Sequence, residues 1–180
     1  MKSLTRIPFL PAAAATLVLL GLAACSSVGS NGSTPAPQGS PTMPVNARAE
    51  VFETIDIGDQ SGAAGGELQI FKIEAQAEWD DFWSRHQGNV IPPPPAPSVD
   101  FSREMVIAVV DQQQTSGGFQ LEITEIVQGW GSLSVLVDKS VPGPDCIVTT
   151  ALTQPFHIVK TARTTVSLDL VVMEEPYSCG

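Results

Sequence analysis

The chain has 180 residues, room for one domain of ordinary size with attachments but not for two full domains. Its 9 Lys+Arg against 19 Asp+Glu leave a net charge of −10, which argues against nucleic acid and against electrostatic docking on anionic lipid, since cationic side chains lead both. Two His and three Cys cannot by themselves complete a four-ligand zinc site of the finger type, no other metal or cofactor signature is present, and 43% apolar residues suffice for a core.

The amino terminus reads as an address. Lys2 and Arg6 precede an apolar, Ala/Leu-rich stretch from Ile7 to Ala24 that ends in Leu22-Ala23-Ala24-Cys25. Small residues before a cleavage point mark a secretory signal. A Cys at the first mature position is the further requirement of a bacterial lipoprotein, whose thiol takes up diacylglycerol, and the tetrapeptide resembles the lipobox. The alternative is an ordinary signal or a membrane helix with an incidental Cys. Pro8 and Pro11 disfavour a stable helix, and the stretch is barely long enough to span. Residues 1–24 are therefore expected to be a signal peptide and Cys25 the lipid attachment site. The chain would be exported and held on the outer face of a bacterial membrane by acyl chains. Cleavage would change the charge from 9 − 19 = −10 to 7 − 19 = −12.

Ser26 to Asn46 carries no charged residue, and Gly, Ser and Pro supply 12 of its 21 positions. Such a stretch buries too little apolar surface to offset the entropy of ordering it. Residues 25–46 are expected to form a flexible stalk spanning roughly 25 Å, with a single domain over 47–180.

Within that domain, Val51 to Ile57 reads as a strand and Ser61 to Gly66 as a turn joining it to a second strand around Leu68, Ile70 and Phe71–Ile73. Trp79, Phe82, Trp83 and His86 fall at i, i+3, i+4 and i+7, which predicts one amphipathic helix near Ala75 to Gln87. Gly88 and Pro92 to Pro95 stop it, and Pro97 prolongs the loop; an ordered spacer is expected there, with a ligand for an aromatic groove as the alternative. Met105 to Val110 is an unbroken apolar run, the mark of a central strand covered on both faces. Phe119, Leu121, Ile123 and Leu133, Val135, Val137 alternate on either side of Gly129-Trp130-Gly131, a hairpin. Ile147 to Thr153 and Phe156 to Lys160 read as one strand broken at Pro155, and Val166, Leu168, Leu170 and Val172 as the last. The expectation is a mainly β fold: an antiparallel sandwich or partly open barrel of about seven or eight strands with one helix.

Cys146 and Cys179 remain once Cys25 goes to lipid. Export permits a disulfide between them, worth roughly 3–4 kcal/mol by chain entropy; the alternatives are two free thiols or one reactive Cys. For catalysis the residues offer little. Ser116-Gly117-Gly118 is not a nucleophile elbow, and Asp80-Asp81 and Glu174-Glu175 are adjacent residues that do not face each other. His86 and His157 read as packed, hydrogen-bonded residues. No enzyme is expected. Candidate binding residues are the small polar loop Thr115, Ser116, Gly117, Gly118 and Phe119, the hairpin-tip Trp130, and Pro155, Phe156 and His157. For the loop the competing reading is a turn that needs glycine; for Trp130, a ring folded back on the sheet.

Several stretches together resemble the carboxyl-terminal domain of the PrcB family: Trp79-Asp80-Asp81-Phe82-Trp83 with His86, Val99-Asp100-Phe101-Ser102, Met105 to Val109, Ser116 to Phe119, and Ala151 to Val159. The resemblance covers about residues 68–172. The family takes its name from a lipoprotein that accompanies and stabilises a bacterial surface serine protease. It implies an accessory or binding module whose partner is another protein, possibly a protease. Thr115 to Phe119 is also similar in character to the small-residue loop of chagasin-type cysteine protease inhibitors, although it lacks their Asn-Pro, and Gln154-Pro155-Phe156 only faintly echoes their Arg-Pro-Trp. That likeness makes a protease inhibitor the alternative; a periplasmic enzyme or ligand carrier is the third class, and would need a cleft with converging titratable groups.

Overall fold

A computed structural model describes residues 47–88 and 90–180. The expected signal peptide, Cys25 and the stalk lie outside the described residues. Eight strands and one helix follow in the order β1 (Arg48–Ala49), β2 (Phe52–Gly58), β3 (Gln69–Ile73), α1 (Gln76–His86), β4 (Glu104–Val110), β5 (Gln120–Gln128), β6 (Ser132–Pro142), β7 (Phe156–Ala162) and β8 (Ser167–Tyr177). They build two four-stranded sheets, one ordered β1-β5-β6-β8 and the other β2-β7-β4-β3. This is the mainly β sandwich expected, with the helix as a third layer.

The apolar run of β4 explains the layering. Val106, Ala108 and Val110 pack with Phe156 and Ile158 against Trp79, Phe82 and Trp83 of the helix. Met105, Ile107 and Val109 face the other way, onto Leu121, Ile123, Leu133, Val135 and Val137 of the second sheet. A strand between two layers needs apolar residues at every position. The four-residue face of α1 is buried as its spacing predicts. Burial of its three large aromatics contributes on the order of 10 kcal/mol of gross transfer free energy. The indole N–H of Trp83 donates to the Pro94 carbonyl at 3.0 Å and that of Trp79 to the Pro97 carbonyl at 2.8 Å, which folds the proline-rich loop back onto the helix as an ordered spacer.

The structure settles one pairing that the sequence left open and corrects two expectations. The first two long strands do not pair: β2 lies along β7 and β3 along β4, at opposite edges of one sheet. The Gly-rich turn is thus a crossing between edges, and its length alone did not distinguish the two. Ile147 to Thr153 is not a strand; only an isolated bridge joins Thr153 to Gln114, and the ladder starts after Pro155, which has no N–H to donate. The sheets are not wholly antiparallel, because β6 and β8 run parallel over eleven residue pairs. Strand β7 belongs to the other sheet, so the chain leaves and re-enters between β6 and β8 in the same direction.

One irregularity of the edge strand β2 has a consequence for the side chains it presents. A bulge between Thr54 and Asp56 breaks the alternation of β2. Thr54 faces the sandwich interior, where it meets His157, whereas Asp56 faces the helix and reaches His86. Without the extra residue both side chains would share one face.

Candidate functional site

The 115–119 loop follows β4 through Asp111 and is fastened at Gln114, Ser116, Gly117 and Gly118. Gln114 and Thr153 exchange backbone hydrogen bonds of 2.7 and 3.1 Å, the Thr153 hydroxyl donates to the Ser116 carbonyl at 2.8 Å, and Gly117 N–H donates to the Thr149 carbonyl at 2.9 Å. The Tyr177 hydroxyl donates to the Gly118 carbonyl at 2.9 Å. Gly118 has φ +91°, and a Cβ there would stand 2.8 Å from Val148 Cγ1; at Gly117 it would stand 2.5 Å from Thr149 Oγ1. Gly118 is thus demanded by backbone geometry, and Gly117 by the close approach of the Thr149 side chain. Thr115 is exposed and Ser116 and Phe119 are half-buried. Beside the loop lies a groove of about 350 Å³ between Ile57-Gly58-Asp59 and residues 118–122.

Pro155, Phe156 and His157 are buried beneath this surface and present no side chain to a partner. Phe156 meets the His86 ring edge-on at 4.4 Å. His157 Nδ1 accepts from Ile123 N–H at 2.8 Å, so its proton sits on Nε2, which donates to Thr54 Oγ1 at 2.8 Å. The ring thus links β5 of one sheet to β2 of the other. Burial lowers its pKa from 6.5 to about 4, keeping it neutral. Trp130 caps the β5–β6 turn, closed by a Gly129 N–H to Ser132 carbonyl bond of 3.0 Å, and is 83% exposed. The nine residues of β5 hold it about 30 Å from Phe119. The structure therefore joins Thr115–Phe119 with 149–154 and leaves Trp130 at the other end of the strand.

Cys146 and Cys179 are disulfide-bonded across 33 positions of sequence, with Cα atoms 5.0 Å apart. Asp145 accepts beside the bridge from Ser178 Oγ at 2.6 Å and from the N–H groups of Cys179 and Gly180 at 2.8 and 3.1 Å. The Ser178 hydroxyl bond, followed by the backbone N–H of Cys179, holds its carboxyl below the usual carboxylate range. Bridge and carboxylate together pin the end of β8.

One constellation has no motif in the sequence. His86 Nε2 donates to Asp56 Oδ2 at 3.1 Å, and Nδ1 accepts from the Ser61 hydroxyl at 2.9 Å. The order Ser–His–Asp is that of a nucleophile relay. Here, however, Ser61 is only 7% exposed and its Oγ also accepts from Ala63 N–H at 3.2 Å. Gly62 N–H donates to the His86 carbonyl at 3.2 Å, and Arg85 Nη1 donates to the Ala63 carbonyl at 3.1 Å. The network staples the 61–63 turn over the carboxyl end of α1. Desolvation lowers the His86 pKa, against the opposing pull of Asp56. Partners 25 and 30 positions apart, on a turn and a bulged strand, leave no local pattern to read. Among the described residues, no group of three His, Cys, Asp or Glu side chains converges to hold a metal ion.

No curated protein and no solved structure matches this chain. Residues 105–162, from the second residue of β4 to the end of β7, match the family model described as PrcB C-terminal.

Proposed function

We propose that the chain is an exported, lipid-anchored domain that binds another protein, as an accessory or stabilising subunit of a surface protease. The observation that carries this reading is the PrcB C-terminal match over strands β4 to β7, which form the middle of the sandwich. The Leu22-Ala23-Ala24-Cys25 sequence supports the anchor, and the uncharged stretch after it supports a tether. A Cys25→Ser chain tests the anchor: it should shed labelled palmitate and leave the membrane fraction, and retention there refutes it. Co-purification from detergent-solubilised membranes tests the partner. A protein recovered alone under every mild condition refutes that half.

The second reading, a protease inhibitor, is favoured by the fastening of the 115–119 loop to Thr149, Thr153 and Tyr177, because a loop already ordered loses little entropy on binding. Incubation with papain-like and subtilisin-like proteases separates the readings. An inhibitor lowers turnover at stoichiometric ratio; an accessory subunit does not.

A further inference from the structure

We infer that the outer face and free edge of the β1-β5-β6-β8 sheet dock an extended, basic segment of the partner protein, an inference that rests on the protein-binding reading above. Strand β8 ends this sheet, and its eleven residues pair only with β6 among the described residues. A long sheet edge is a template for one more strand unless something blunts it. Glu174, Glu175 and Pro176 blunt the carboxyl end, whereas Asp169 is the one charged residue between Ser167 and Met173, and Leu170 to Met173 carry no charge and no proline. The disulfide and the Tyr177 hydroxyl fix the strand from one end, so little order is left to impose on binding.

The side chains on this face indicate what the added strand carries. Leu168 and Leu170 pack inward, so Val171 and Met173 point outward; with Val172 they are 42, 44 and 39% exposed. Leu136 lies directly beside Val171 in the register, giving a small apolar ridge. Around it the pairing places Glu125 opposite Leu136, Glu122 opposite Asp138, Asp138 beside Met173, Asp169 beside Ser134 and Glu175 beside Ser140. Five carboxylates thus share the face. Neither cation of these strands joins them. Lys139 continues the inner row of Val135 and Val137 to meet Asp111 at 3.2 Å, and Arg48, beside Gln128 in the register, pairs with Glu50 at 3.5 Å. Like charges directly opposite across a ladder cost free energy. In addition, Asp138 Oδ1 is shielded from solvent and meets no hydrogen-bond donor among the described residues, which a buried carboxylate oxygen ordinarily has. A second copy of the chain would bring carboxylates against carboxylates. A strand alternating Lys or Arg with aliphatic residues, added beside β8, brings cations next to Asp169 and Glu175 and toward Asp138, and covers the ridge.

The test is photo-cross-linking of the full chain in its own membrane, with benzoylphenylalanine at Val171 in one version and at Ser116 in another. The expected result is an adduct from Val171 and none from Ser116. The captured segment should contain Lys or Arg, and the yield should drop about tenfold at roughly 0.5 M salt, where exposed charges are screened, and similarly with Asp138→Lys. An adduct from Ser116 alone overturns this face and leaves the protein-binding reading standing. A Val171 adduct that is salt-insensitive, or whose segment lacks cations, overturns the basic partner. No adduct from either position overturns both.

Discussion

Protonation of His157 should unfasten the two sheets, and its size follows from the ring's surroundings. In the folded chain Nδ1 accepts from Ile123 N–H, and a proton there would turn acceptor into donor against donor. The ring is 2% exposed and burial holds its pKa near 4, against 6.5 in an unfolded chain. The native state therefore binds fewer protons than the unfolded state between these values. Stability is complete above about pH 7, falls as pH drops through 6.5, and stops falling from this source below about pH 4. At 1.36 kcal/mol per unit the difference amounts to about 3 kcal/mol in all and about 2.5 kcal/mol by pH 4.5. Urea unfolding followed through the buried Trp79 and Trp83 would measure it at pH 7.5, 6.5, 5.5 and 4.5. His86, whose pKa is also lowered, adds in the same direction, so His157→Gln serves as reference. That variant should lose about 1–3 kcal/mol at pH 7.5 by stranding Ile123 N–H, then decline with pH less steeply than wild type by nearly one proton. Parallel pH curves for the two proteins would refute the linkage.

Other substitutions probe the remaining features. Cys146→Ser with Cys179→Ser should lower stability by about 3–4 kcal/mol, from a closure of 33 positions; an unchanged urea midpoint would show that the bridge constrains nothing. Gly118→Ala should cost about 1–3 kcal/mol, because its φ is +91° and its Cβ would crowd Val148, whereas Gly131→Ala, with nothing within 4 Å, should leave thermal unfolding unaltered. Ser61→Ala should cost about 1–2 kcal/mol, and a fluorophosphonate probe should not label wild-type Ser61; covalent labelling there would make the Ser61–His86–Asp56 chain a working relay instead of a staple.

What could be read in the sequence was whatever periodicity records. The helix of Trp79, Phe82, Trp83 and His86, the two-faced burial of Met105 to Val110 and the hairpin around Trp130 all follow from side-chain spacing within one element. Pairing between elements did not. The Gly-rich turn after β2 leads to the far edge of the sheet, and the parallel direction of β8 depends on where β7 goes in between. The binding candidates divide on the same ground: Thr115 and Ser116 lie at the surface as loop residues, whereas Phe156 and His157 look polar or aromatic in sequence and are consumed by the interior. The run Leu170-Val171-Val172-Met173 carried a readable signal that strict alternation had hidden: four apolar residues in succession in a strand with only one covered face.

The proline-rich crossing after the helix also bears on resistance to proteolysis. A protease grips its substrate as an extended ribbon and needs main-chain N–H groups to hold it. From Pro92 to Pro97 only Ala96 offers one, and the carbonyls of Pro94 and Pro97 are already occupied by indoles. This solvent-facing stretch is therefore a poor mouthful, and limited proteolysis should nick the chain elsewhere first.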